Sequence, residues 1–185
     1  NNHGYEHSNS VTVIDSGTYS VESLFLNKAN PVVIQGDVIL SVEKDFVLHQ
    51  ASIILSDDAT LTVHARRKVT INSSYMGNEN ESTNSWMNPG RIALYGHGFN
   101  TWKISGNSIL KAELYAPDCE IYLRGNATVC GRIAGEQVQL HGNSRVLYDQ
   151  ILDHGGFAEA DGMLYDEQGN VRNELREISN RTSVV

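Results

Sequence analysis

Glu113, Asp118 and Glu120, with Lys111 and Arg132, come nearest to a set of side chains that could carry acid–base chemistry. A polysaccharide hydrolase or lyase needs an acid and a base flanking one bond on a single solvent-facing surface. These carboxylates gather in one stretch and no matching set recurs further along, so they read as solvated surface, and no enzymatic activity is expected. Asp57 and Asp58 would need further oxygen ligands at regular spacing to hold calcium; none follow, and a turn is the simpler reading. His3 and His7 are spaced like ligands on one helical turn, but they sit in a polar terminus with Gly4 between them. The other histidines are scattered, with His141 just before Gly142. Neither a metal site nor a cofactor is expected.

Two further groups carry chemistry of a different kind. Cys119 and Cys130, eleven positions apart, suit either a disulfide across a bend or two thiols buried separately. Neither shows a histidine and a third orienting group nearby in sequence, as a catalytic thiol would need. The long polar stretch 72–90, NSSYMGNENESTNSWMNPG, holds Tyr75, Met76, Trp86 and Met87. Tyr75 and Trp86 are the candidates for binding, because planar rings stack on the apolar face of a sugar. The competing reading is that these side chains fold back to cover the protein.

The elements that must position these groups are short. From Val32 onward, apolar bursts such as Val32-Val33-Ile34, Val38-Ile39-Leu40 and Ile53-Ile54-Leu55 recur at roughly eight residues, bounded by Asp, Ser, Gly or Asn. Helical spacing is absent until the tail, where Glu174 to Ile178 suits a short helix. A longer period overlies the bursts: Gly-Asn recurs at Gly106-Asn107, Gly125-Asn126 and Gly142-Asn143, intervals of 19 and 17 residues. Hairpins favour Asn-Gly or Asp-Gly, whereas a repeat of this length favours a solenoid. Glycine takes the left-handed backbone of a sharp corner, and Asn tolerates it better than most residues.

Stacking the three copies supports the corner reading. They are preceded by Trp102-Lys103-Ile104, Ile121-Tyr122-Leu123 and Val138-Gln139-Leu140, each apolar, polar, apolar, as side chains pointing in, out and in would be. Asp57-Asp58 takes the Gly-Asn position in an early coil. The expected fold is an all-β, single-domain, right-handed parallel β-helix of about five or six coils. Its expected divisions are an N-terminal segment and cap over 1–31, the solenoid over 32–152 with an inserted loop at 72–90, and a C-terminal cap or tail over 153–185.

The ordered set Asn88-Pro89-Gly90-Arg91-Ile92-Ala93-Leu94-Tyr95-Gly96, Ser105-Gly106-Asn107, Leu114-Tyr115-Ala116-Pro117, Gly125-Asn126, Gly131 and Leu147-Tyr148-Asp149 resembles the β-solenoid domain attached to PilX-type pilus-assembly and other bacterial surface proteins. The resemblance covers roughly 36–152. It implies a domain without assigned enzymatic activity, placed outside the cytoplasm, with other surface or pilus proteins as partners and a hydrophobic membrane or pilin-like segment ahead of it. A carbohydrate-binding or polysaccharide-degrading β-helix is the alternative, with a glycan as partner.

Charge narrows the partners. The 185 residues carry 14 Lys and Arg against 22 Asp and Glu, a formal net charge of −8. A phosphate-backbone partner needs a concentrated basic surface, and the one basic run, Arg66-Arg67-Lys68, suits a solvated turn. No apolar stretch reaches the roughly 20 residues of a membrane span.

Overall fold

The computed structural model describes residues 11–28, 30–78, 91–149 and, as backbone, 175–178. Sixteen strands lie among them, and about six turns of a parallel β-solenoid result. Each coil contributes one strand to each of three faces, so the hydrogen bonds run between coils instead of between chain neighbours.

On face I, the first halves of β1 (Thr12–Val21) and β3 (Val32–Val42) stack with β5 (Ser52–Leu55) and β8 (Tyr75–Asn78). The face continues through β11 (Ile109–Lys111), β13 (Thr128–Cys130) and β15 (Arg145–Asp149). Face II is built from the second halves of β1 and β3, then β6 (Thr60–Ala65), β9 (Ile92–Gly96) and the starts of β12 (Glu113–Gly125) and β14 (Ile133–Gly142). Face III runs through β2 (Leu24–Asn27), β4 (Phe46–His49), β7 (Val69–Asn72), β10 (Thr101–Ser105) and the ends of β12 and β14. Every one of these pairings is parallel and nearly all are in simple register.

Register turns the alternating pattern into ladders. Phe46, Val69, Trp102 and Ile121 stack inside face III, as do Leu48, Ile71, Ile104 and Leu123, all fully buried. The outward Lys103, Tyr122 and Gln139 confirm the in, out, in expectation. Trp102 fits because the adjacent column on face II is small: Ala65, Gly96, Ala116 and Gly135. A Cβ on Gly96 would lie 2.5 Å from Ala116 Cβ and 2.8 Å from Trp102 Cζ2. The buried indole N–H has no acceptor among the described residues. That omission costs about 1–3 kcal/mol, less than the ~4–6 kcal/mol from burying 150–250 Å² of ring at ~25 cal/mol per Å².

The corner between faces III and I is where the Gly-Asn pairs fall. Gly106, Gly125 and Gly142 have φ of 70°, 74° and 73°. Register aligns Lys28, Gln50 and Ser73 with them, and these non-glycine residues are also left-handed, at 48°, 50° and 49°. All six corners therefore share one backbone shape, and glycine marks only half of them. The three Gly-Asn corners are one residue longer than those at Gln50 and Ser73, and their Asn107, Asn126 and Asn143 form a ladder: Asn126 Nδ2 donates to Asn107 Oδ1 (2.8 Å) and Asn143 Nδ2 to Asn126 Oδ1 (3.2 Å). The serine that follows closes the bend, Ser108 Oγ donating to Ser105 O and Ser144 Oγ to His141 O.

Four expectations are corrected. The first coil starts at Thr12, because β1 pairs with β3 along nearly its whole length, so most of 1–31 belongs to the solenoid. The polar loop starts later than residue 72: Asn72 ends β7, and Tyr75–Asn78 is a face I strand between β5 and β11. Asp57-Asp58 is a turn, with Asp58 at φ 64°, but it lies between faces I and II, not at the Gly-Asn corner. In place of a helix near the C-terminus, Leu175–Ile178 is a strand antiparallel to β15, so the edge of β15 supplies its hydrogen bonds.

Candidate functional site

The acidic group around residue 113 is dispersed by the fold. Lys111 ends a face I strand, Glu113 begins the face II part of β12, and Asp118 lies at the bend toward face III, where Glu120 stands. Glu113 is bound by Arg132 (2.8 Å), and Glu120 accepts the Tyr122 hydroxyl (2.9 Å). That bond holds the Tyr122 proton on and raises the phenol's pKa. These carboxylates do not converge on a common point.

Cys119 and Cys130 are buried thiols with no disulfide between them, one at the bend between faces II and III and the other at the end of a face I strand. Cys119 Sγ donates to Gly98 O (3.2 Å). Burial is the main reason its pKa is raised, with the charges of Asp118 and Glu136 adding and a hydrogen bond from the Asn100 backbone opposing.

Tyr75 is half-buried on β8, its hydroxyl donating to Asn78 O (3.1 Å). A side chain at Gly77 would overlap that hydroxyl, and Lys111 Nζ lies 6.0 Å from the ring centroid. The ring is thus laid along face I as cover. Trp86 lies outside the described residues.

Face II carries a group that the sequence reading missed. His64, Tyr95 and Tyr115 occupy equivalent outward positions on successive coils. The His64 and Tyr95 rings stack at 5.3 Å and 21°, and Tyr115 meets Tyr95 edge-on at 6.2 Å. His97, just past the end of β9, brings its Nε2 to 3.1 Å from His64 Nδ1. Burial, then the neighbouring His97, lowers the His64 pKa, so its neutral form is favoured. Beside this column are the exposed Ile39 and, in the bend after β9, Phe99, which is 85% exposed. Tyr115 is 53% exposed and faces the small Ala134 on the next coil. The bend also carries ion pairs, Lys44 with Glu22 and Arg66 Nε with Glu43 Oε2 (3.2 Å). The expected basic turn at Arg66-Arg67-Lys68 is exposed, and Asn100 ties down the Arg66 carbonyl.

Chemically, face II presents a column of stacked and edge-on rings with a pair of imidazoles beside it. The signal was present as His64, Tyr95 and Tyr115 at spacings of 31 and 20 residues, but the insertion before β9 hid the register. Among the described residues, no cluster of three His, Cys, Asp or Glu side chains suits a metal ion. No helix there is long and apolar enough to cross a membrane.

No curated protein and no solved structure matches the chain. A family model does match, over residues 1–154. With that match spanning six coils and reaching past β15, the chain belongs to the family described as Domain of unknown function (DUF7305).

Proposed function

We propose that this domain is a non-catalytic structural and adhesive solenoid of a cell-surface or pilus-like assembly outside the cytoplasm. The observation that carries the reading is face II: rings on a rigid parallel sheet, exposed in a column, without a facing pair of carboxylates. A stiff β-helix holds such a surface at fixed spacing, since each coil stacks about 4.8 Å above the last. The resemblance to the solenoid domain of PilX-type surface proteins supports the same reading, and the partner is another surface protein or a glycan.

The exposure of Tyr115 and Phe99 favours the glycan as the first partner to test. The intact domain is incubated with insoluble polysaccharides, and both retention and newly formed reducing or unsaturated ends are measured. Retention reduced by Tyr115→Ala and by Phe99→Ala, without sugar release, supports adhesion through face II. Release of sugar ends overturns the non-catalytic reading, and retention unchanged in both variants removes face II from the glycan contact.

A further inference from the structure

We propose that His64 and His97 form a two-histidine chelating site for a divalent transition metal of the copper class, on the edge of face II. The two imidazoles come from successive coils, one on β6 and the other just beyond β9, and His64 Nδ1 lies 3.1 Å from His97 Nε2. When neutral, each ring has one lone-pair nitrogen and one N–H. The proton bridging the pair is what a metal ion replaces: the ring that carried it takes a proton on its other nitrogen instead, so both imidazoles bind as neutral ligands with no net proton released.

The spacing suits this exchange. Nitrogens held 2.0–2.1 Å from one ion and 3.1 Å from each other subtend about 95–102° at the metal. That range runs from near the right angle of a tetragonal copper or nickel site toward the tetrahedral angle zinc prefers, so the spacing admits copper. Copper(II) also stands highest in the affinity order for nitrogen ligands.

The surroundings hold the ligands ready. Tyr95 stacks on His64 at 5.3 Å, which limits the ring's rotation. The His97 backbone is anchored by its N–H to Ala65 O (3.0 Å). The residues flanking His97 are constrained as well: Gly96 is closed to a side chain by Ala116 and Trp102, and Gly98 has φ 87°. His97 is exposed, so the remaining coordination positions open to water or to an outside ligand. Arg66, two residues past His64, is engaged by Glu43 at 3.2 Å, which offsets its charge. The site is open and two-liganded, distinct from a closed structural metal centre.

Copper(II) is titrated into the chain in a His3→Ala/His7→Ala background, which removes competition from the terminal imidazoles. Binding is followed by calorimetry and by electron paramagnetic resonance. One ion per chain with nitrogen couplings from two imidazoles is expected. His64→Ala and His97→Ala should each weaken binding by roughly tenfold or more, while His141→Ala leaves it unchanged. Circular dichroism confirms folding, and the resonance spectrum of the parent counts the nitrogens even if a variant is unstable. Absence of stoichiometric binding in the parent overturns the site. So does a spectrum without two imidazoles, or affinity retained in folded His97→Ala.

Discussion

Replacing Gly125 separates backbone strain from crowding, because its corner is tight without being closed. Its φ is 74°, and a Cβ there would meet Gly106 O at 3.3 Å and Gly106 N at 3.4 Å. Those contacts require a shift of only tenths of an ångström, so the left-handed backbone sets the cost, about 1–2 kcal/mol for an ordinary L-residue. For a chain of this size that corresponds to a melting temperature lowered by about 2–8 °C in Gly125→Ala. Gly125→Asn should lose less, since Asn tolerates this region, and Gly125→Val more, because β-branching adds strain. The aligned Gln50 has φ 50° and provides the reverse test. Gln50→Gly removes about 1–2 kcal/mol of strain and adds about 0.5–1 kcal/mol of unfolded-chain entropy, so it should be neutral or slightly stabilising. Thermal unfolding followed by circular dichroism ranks the set. Gly125→Ala and Gly125→Val melting with the parent would refute the corner, as would Gln50→Gly melting several degrees lower.

Gly96→Ala should destabilise by about 1–3 kcal/mol through overpacking against Ala116 and Trp102. Adding Ala116→Gly should recover part of that loss in denaturant melts, and strict additivity would refute the shared contact. Arg91 donates to Ala59 O (2.8 Å) and Ser56 O (2.6 Å), clamping the Asp57-Asp58 turn. Arg91→Lys cannot keep both bonds and should cost about 1.5–3 kcal/mol; an unchanged unfolding midpoint would rule the clamp out. The Cys119 pKa is raised, so at a given pH less of it is the reactive thiolate. Iodoacetamide at mildly alkaline pH should label it far more slowly in the native protein than in denaturant, and equal rates read by mass spectrometry would contradict its burial.

The fold was readable wherever one physical constraint left one residue type behind. Alternation showed the inward ladders of face III because a buried position rejects polar side chains, and Trp102, Ile104, Ile121 and Leu123 are fully buried. Glycine exposed three corners because it adopts positive φ without strain. Lys28, Gln50 and Ser73 adopt the same shape, but their composition does not announce it. Their strain is held by hydrogen bonds between coils: Lys28 N–H to His49 O, Gln50 N–H to Asn72 O and Ser73 N–H to Ser105 O. This also explains the misplacement of Asp57-Asp58. A polar pair near the expected interval looks like the repeated corner, while register, which decides the corner, depends on coil lengths that vary along the chain.

The chemistry of face II was harder to read for a related reason. In a helix, residues that meet are three or four apart; here His64 and His97 are 33 apart and meet across one coil boundary. That interval includes the inserted stretch before β9, so it matches neither the 19-residue nor the 17-residue interval of the Gly-Asn corners. Tyr95 and Tyr115, by contrast, are one ordinary coil apart and in register. Proximity in sequence misled in the opposite direction: Glu113 and Glu120 are seven residues apart yet lie on different faces. In a solenoid the useful unit of comparison is therefore the aligned coil. Residues with the same outward position on adjacent coils are candidates for a shared surface, whereas neighbours along the chain are turned apart at each corner.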